Sequence, residues 1–303
     1  MSYKFQGLIA AVFTPMFEDG SLRLNMVEPM VEFLIEEKIA GLYVCGSTGE
    51  GASLTSQERK ETAEAYVAAA RGRLPVIVQV GHQSLAEAQA LAAHAQQIRA
   101  DAIAAFPPNY FKINAPDVLV DCLAIISAGA PGLPIYYYHI PALTGVNMDM
   151  VEFLHKSRDR LANLAGIKYS NAAIHEFQAC LNFDNQRYDL LFGLDEMLAS
   201  ALITGARGAV GATYNFAAPL YHRILEAFQN HDLAEAQRLQ LLSVQLIRLL
   251  NECGGMAAFK TAMKFLGWDC GPPRLPLVAL TLEQEQAMQQ KFVSLGFFDW
   301  GRT

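Results

Sequence analysis

Lys168 is the residue whose sequence surroundings restrict its chemistry most. It follows Leu164-Ala165-Gly166-Ile167, an apolar run that reads as a buried strand, and lysine almost never sits in such a place without a partner or a task. Burial disfavours the ammonium form and leaves neutral amine able to attack a carbonyl carbon. A lysine paired with a carboxylate, or turned outward at the strand end, would fit the same position. Tyr138 ends the preceding run, Ile135-Tyr136-Tyr137-Tyr138. If the two runs are adjacent strands, about 4.8 Å apart, the phenol and the amine face one reaction centre, and the phenol can shuttle protons. Ser47 and Thr48 lie between Gly46 and Gly49. That tight turn offers hydroxyls and N–H groups to a carboxylate or phosphate, or is a plain turn. It is not a Walker loop, since no Gly-Lys-Ser/Thr follows. Asp195 and Glu196, after Gly193, read either as helix N-terminal carboxylates or as acceptors for the hydroxyls of a polyol. Tyr136 and Tyr137 read as packing residues, and His139 as a structural hydrogen-bonder.

These groups need a frame that brings strand ends together. Apolar runs begin near Leu8, Leu42, Val76, Ala102, Ile135, Leu164, Leu190 and Ala209, a mean spacing of about 29 residues, close to one βαβ unit. The runs do not alternate apolar with polar, as expected of a parallel sheet covered on both faces. Between them lie helix signals. Thr55-Ser56-Gln57-Glu58 and Ser84-Leu85-Ala86-Glu87 fit the capping box. Ala63, Tyr66, Val67 and Ala70, then Ala88, Leu91, Ala92 and Ala95, recur at helical spacing. Eight such units predict an α/β fold, a (β/α)8 TIM barrel over residues 1–230, with its site at the carboxyl ends of the strands. Beyond His231 only helical patterns follow, at Leu233–Leu250, Met256–Leu266 and after Thr281. Residues 231–303 are therefore expected as a C-terminal helical appendage of the same domain, with Gly271-Pro272-Pro273-Arg274-Leu275-Pro276 as a loop.

Composition narrows the function classes. With 52% hydrophobic and 17% charged residues in 303, the chain can bury a large core, which excludes wholesale disorder. A net charge of −7 without a basic run offers no footprint for nucleic acid. No stretch approaches the ~20 apolar residues of a membrane span, and Met1 to Gly7 has no apolar segment of signal-peptide length. Cys45, Cys122, Cys180, Cys253 and Cys270 are odd in number and widely spaced, so neither a zinc site nor a disulfide framework is expected, and a cytoplasmic setting is. No G-x-G-x-x-G follows a strand, which disfavours a dinucleotide enzyme.

The segments Gly46–Glu50, Tyr136–Val146, Gly166-Ile167-Lys168, Gly193–Glu196 and Gly208–Gly211 carry a resemblance in combination. From about Gly7 to Leu277 the sequence resembles the N-acetylneuraminate lyase subfamily of the dihydrodipicolinate synthase superfamily, class I pyruvate aldolases on a (β/α)8 barrel. Tyr136–Val146 and Gly271–Leu277 look especially like the animal-type lyases. The resemblance implies that Lys168 forms a Schiff base with the keto carbon of open-chain sialic acid, so that no metal or organic cofactor is required. It implies that Tyr138 takes the C4 hydroxyl proton as the C3–C4 bond breaks, giving pyruvate and N-acetylmannosamine. Ser47 and Thr48 would hold the carboxylate, and Ser170, Gly193, Asp195, Glu196 and Gly211 would line the sugar side. Tyr110 would reach into a neighbouring subunit's site in a homotetramer.

Two positions bear on the substrate. Leu143 stands where dihydrodipicolinate synthases place an arginine for a second carboxylate, and leucine cannot make that bidentate contact. Ala212 stands where sialic acid lyases usually have serine. One neutral hydrogen bond is worth about 0.5–1.5 kcal/mol, so another 2-keto-3-deoxy sugar acid is the alternative substrate. A catalytically silent barrel acting as a keto-acid sensor would have no need of the Lys168 amine.

Overall fold

The computed structural model describes residues 4–301; residues 1–3 and 302–303, the outer ends of the two expected segments, lie outside the described residues. Eight strands run in parallel, namely β1 Gly7–Ala11, β2 Gly41–Val44, β3 Val76–Gln79, β4 Ala102–Ala105, β5 Ile135–His139, β6 Leu164–Tyr169, β7 Asp189–Phe192 and β8 Gly208–Gly211. They pair in chain order and close into a barrel through β8 and β1. Each begins at the expected residue or one before it. β5 and β6 each run one residue past the expected ends at Tyr138 and Lys168, because His139 and Tyr169 continue the ladder.

The alternation of side chains across each strand separates two layers. Ile9, Ala11, Tyr43, Ile77, Ala104, Tyr136, Tyr138, Leu191 and Val210 fill the barrel interior. Leu8, Leu42, Val44, Ile103, Tyr137, Tyr169 and Phe192 belong to the larger core under the helices. Both faces are covered, which is why the strands read as continuous apolar runs.

The helices following the strands are α1 Val27–Glu36, α2 Ser56–Ala70, α3 Leu85–Gln97, α4 Pro116–Ser127, α5 Pro141–Thr144, α6 Met150–Ser157, α7 Ile174–Asn182, α8 Leu198–Ile203 and α9 Tyr214–Gln229. Three more close the chain, α10 Leu233–Glu252, α11 Met256–Phe265 and α12 Leu282–Leu295. Among the described residues no helix is long and apolar enough to cross a membrane. The capping box forms at α2, where Thr55 accepts from Glu58 N and Glu58 accepts from Thr55 N. At α3 only half of the expected box forms. Ser84 accepts from Glu87 N, but the Glu87 carboxylate takes the Ser56 hydroxyl of α2 at 2.6 Å.

One irregularity sets the register of the site. Ile135 pairs with Leu164, but Tyr136 pairs with Gly166, so Ala165 is an extra residue on β6. A one-residue offset moves every later side chain to the other face of the sheet. As a result Tyr138 pairs with Lys168 and both point inward, whereas an unbroken register would pair Tyr138 with Ile167.

Candidate active site

Lys168 enters the barrel interior near its carboxyl end, 3% exposed, with Nζ 3.8 Å from the centre of the Tyr43 ring and 4.1 Å from that of Tyr138. The two rings meet edge to face at 5.6 Å. Among the described residues no carboxylate pairs with Nζ, so the ion-paired and outward-turned readings both fail. Burial pulls the Lys168 pKa down to about 7, with the Asp195 carboxylate opposing the shift. The neutral, nucleophilic amine is therefore far more accessible near neutral pH than in an ordinary lysine. Aromatic faces hold the side chain without neutralising it.

Tyr138 is buried, and its hydroxyl lies 3.3 Å from Ser47 Oγ. Burial raises its pKa, while hydrogen bonds from Ser47 and Ser170 pull it back. The phenol is thus neutral at rest and linked to other hydroxyls, an arrangement suited to relaying a proton. Ser47 and Thr48 sit on the turn after β2. Glu50 N donates to Ser47 O at 3.1 Å and Gly51 N to Gly46 O at 3.0 Å, closing the turn on itself. Thr14, beyond β1, donates its hydroxyl to Gly49 O at 2.7 Å. Within the described residues the Ser47 and Thr48 N–H groups have no partner, so they can serve an anion.

Asp195 follows β7 in a single 3₁₀ turn, Asp195–Met197, and does not cap it. Its buried Oδ2 accepts instead from Thr213 N at 2.9 Å and Thr213 Oγ1 at 2.6 Å. Tyr221 and Ser243 extend that network from α9 and α10. Burial raises the Asp195 pKa to about 6, the Thr213 hydrogen bonds opposing it. Among the described residues no donor reaches Oδ1, which leaves one oxygen for a ligand hydroxyl. Two glycines make room here. A Cβ at Gly211 would lie 2.1 Å from Asp195 Oδ1, and one at Gly193 would lie 2.0 Å from Ser170 Oγ. Glu196 is half-buried beside Asp195 and raises its pKa.

The structure therefore gathers Lys168, Tyr138, Ser47, Ser170, Gly193, Asp195 and Gly211 from five strand ends, those of β2, β5, β6, β7 and β8, with Thr48 buried beside Ser47. Tyr110 is not gathered with them. It stands 80% exposed on the loop after β4, packed edge to face on Phe111. His139 is the structural hydrogen-bonder expected, its Nε2 lying 3.4 Å from Asn171 Nδ2. It packs outside the barrel against Tyr137 and Tyr169 with Nδ1 unpartnered, and burial lowers its pKa to about 4. Tyr43 was missed because Leu42-Tyr43-Val44 reads only as a buried strand. Its inward position, on the strand that leads into the Ser47 turn, emerges from the barrel.

Fold and site together define a parallel β/α barrel with a reactive lysine and an anion-binding turn at the carboxyl ends of its strands. Residues 4–294 match the sequence profile of the dihydrodipicolinate synthetase family, and the chain belongs to that family. The N-acetylneuraminate lyase of Rattus norvegicus is 40% identical over 302 residues, covering 98% of this chain and 94% of the rat protein. The human N-acetylneuraminate lyase is 39% identical over the same shares. The solved structure of Proteus mirabilis N-acetylneuraminate lyase superposes with a TM-score of 0.95 at 39% identity, covering 97% of this chain and 100% of that one. The Aliivibrio salmonicida sialic acid aldolase superposes with the same TM-score at 38% identity, covering 97% and 98%.

Proposed function

We propose that this protein is a lyase that cleaves N-acetylneuraminate to N-acetylmannosamine and pyruvate through an imine on Lys168. The observation that carries this reading is the unpaired, buried Lys168 amine, register-matched with Tyr138, whose hydroxyl meets Ser47. The names of the relatives, all N-acetylneuraminate lyases at about 40% identity, favour this substrate over another sugar acid.

In the proposed reaction the neutral Lys168 amine adds to the C2 ketone of the open-chain sugar acid, and the carbinolamine hydroxyl takes the Tyr138 proton and leaves as water to give the protonated imine. Ser47 and Thr48 hold the adjacent carboxylate through hydroxyl and N–H groups. Tyr138, left as a phenolate beside that cation and within reach of the Ser47 hydroxyl, accepts the C4 hydroxyl proton. The C3–C4 bonding pair moves into the imine, which becomes an enamine, and N-acetylmannosamine departs as the aldehyde. Tyr138 then returns that proton to C3, and water hydrolyses the imine to pyruvate and free lysine. The protonated imine is the electron sink, so the reading calls on no metal or organic cofactor. The free Oδ1 of Asp195, with Glu196, Ser170, Gly193 and Gly211, would meet the sugar chain.

Two further features belong to this reading. Tyr110, exposed beside Phe111, is suited to cover a neighbouring subunit's site in a homotetramer. All five cysteines are unbonded, which fits a reducing, cytoplasmic setting. The test is direct incubation with N-acetylneuraminate. Stoichiometric appearance of pyruvate and N-acetylmannosamine is expected; intact substrate, with cleavage of a different keto sugar acid, would overturn the substrate assignment.

A further inference from the structure

The reaction leaves unexplained why residues on α11 and the proline-rich segment after it converge on the turn that carries Ser47 and Thr48. Their meeting point is Glu50, which follows that turn in a left-handed conformation, φ +53°. Its carboxylate is buried. Oε1 lies 2.7 Å from Lys260 Nζ of α11, and Oε2 accepts from Arg274 N at 2.7 Å. Lys260 Nζ also donates to Pro272 O at 3.0 Å. The Arg274 guanidinium binds Ser53 O at 3.1 Å, Gly20 O at 2.6 Å and the Glu58 carboxylate at the start of α2. Among the described residues Glu50–Lys260 is the one ion pair with both side chains buried, 1% and 2% exposed. Such a pair adds little net stability over apolar packing, but it fixes geometry, because removing either partner strands a buried charge.

We infer that Lys260 and Arg274 are positioning residues for the keto-acid carboxylate, holding the Ser47–Thr48 turn in register through Glu50. The inference rests on the reading that this turn binds the substrate carboxylate. The helices after the barrel then complete a site whose reacting groups all come from the barrel itself.

The test compares pyruvate with methyl pyruvate, which keeps the ketone but lacks the negative charge, by borohydride trapping of the imine over a concentration series. For Lys260→Met, half-saturation by pyruvate should rise about tenfold, the scale of one lost charge-assisted hydrogen bond. Half-saturation by methyl pyruvate should stay within about twofold, and so should maximal trapping. The matched double variant Glu50→Gln/Lys260→Met should recover most of the pyruvate affinity. Arg274→Gln keeps the backbone N–H and tests the same clamp from a half-exposed position, should Lys260→Met not fold. A folded Lys260→Met or Arg274→Gln protein with unchanged pyruvate half-saturation, or with equal losses for both ketones, would overturn the inference. Absence of any trapped imine in the unaltered protein would instead overturn the functional reading beneath it.

Discussion

At Lys168 the decisive quantity is how burial divides the amine between its two protonation states. With a pKa near 7 instead of the usual 10.5, the nucleophilic form is gained across neutral pH. The rate of imine formation with pyruvate should rise with pH, reach half its maximum near pH 7 and level off by about pH 9. A rate still climbing at about pH 10 would mean an ordinary lysine. Linkage gives the matching stability signature. The folded pKa lies below the unfolded one, so the unfolded chain binds more protons between the two, and stability rises with pH across that window. The penalty is full below pH 7 and gone above about 10.5, so Lys168→Met should raise the melting temperature more at about pH 6 than at about pH 10. Tyr138→Phe separates the two halves of the chemistry. It removes the hydroxyl that meets Ser47 but keeps the ring under Nζ, so trapped pyruvate imine should persist while cleavage falls by about 10²–10⁴-fold.

At the scale of elements, the β5–β6 register and the tight β7–β8 ends place the groups. The sequence made the strands legible because both faces of a parallel barrel are apolar, and it made Lys168 legible because a lysine breaks such a run. The Ala165 bulge was not legible, since an extra residue in an apolar strand leaves no mark on composition. Nor was the partner of Asp195. A carboxylate at the start of a turn reads as a cap, but Thr213 from the next βα unit takes it. Tyr110 was legible only by resemblance, and within one chain its surroundings are those of an exposed aromatic. The close approach at Gly211 gives a prediction at this scale. Gly211→Ala puts a methyl group where Asp195 Oδ1 now lies. It should cost about 1–3 kcal/mol of stability and weaken sugar-acid binding while pyruvate trapping persists, measured by denaturant unfolding and by saturation with each ligand.

Across the molecule, the same packing that closes the barrel buries its reactive amine. Eight parallel strands converge there, helices cover the outside, and the interior holds Tyr43, Tyr136 and Tyr138, with the Lys168 amine over the rings of Tyr43 and Tyr138. The C-terminal helices reach back to brace the anion-binding turn through Glu50. Whole-chain likeness to solved N-acetylneuraminate lyases, at a TM-score of 0.95, agrees with that arrangement, but chemistry at Lys168 is the claim on which everything else depends. It is tested most directly by borohydride reduction in the presence of pyruvate and, separately, of N-acetylneuraminate, followed by intact mass and peptide mapping. The account predicts the same pyruvate-derived adduct on Lys168 from both, and none in Lys168→Ala. An adduct on another lysine, or none from either compound, would contradict it.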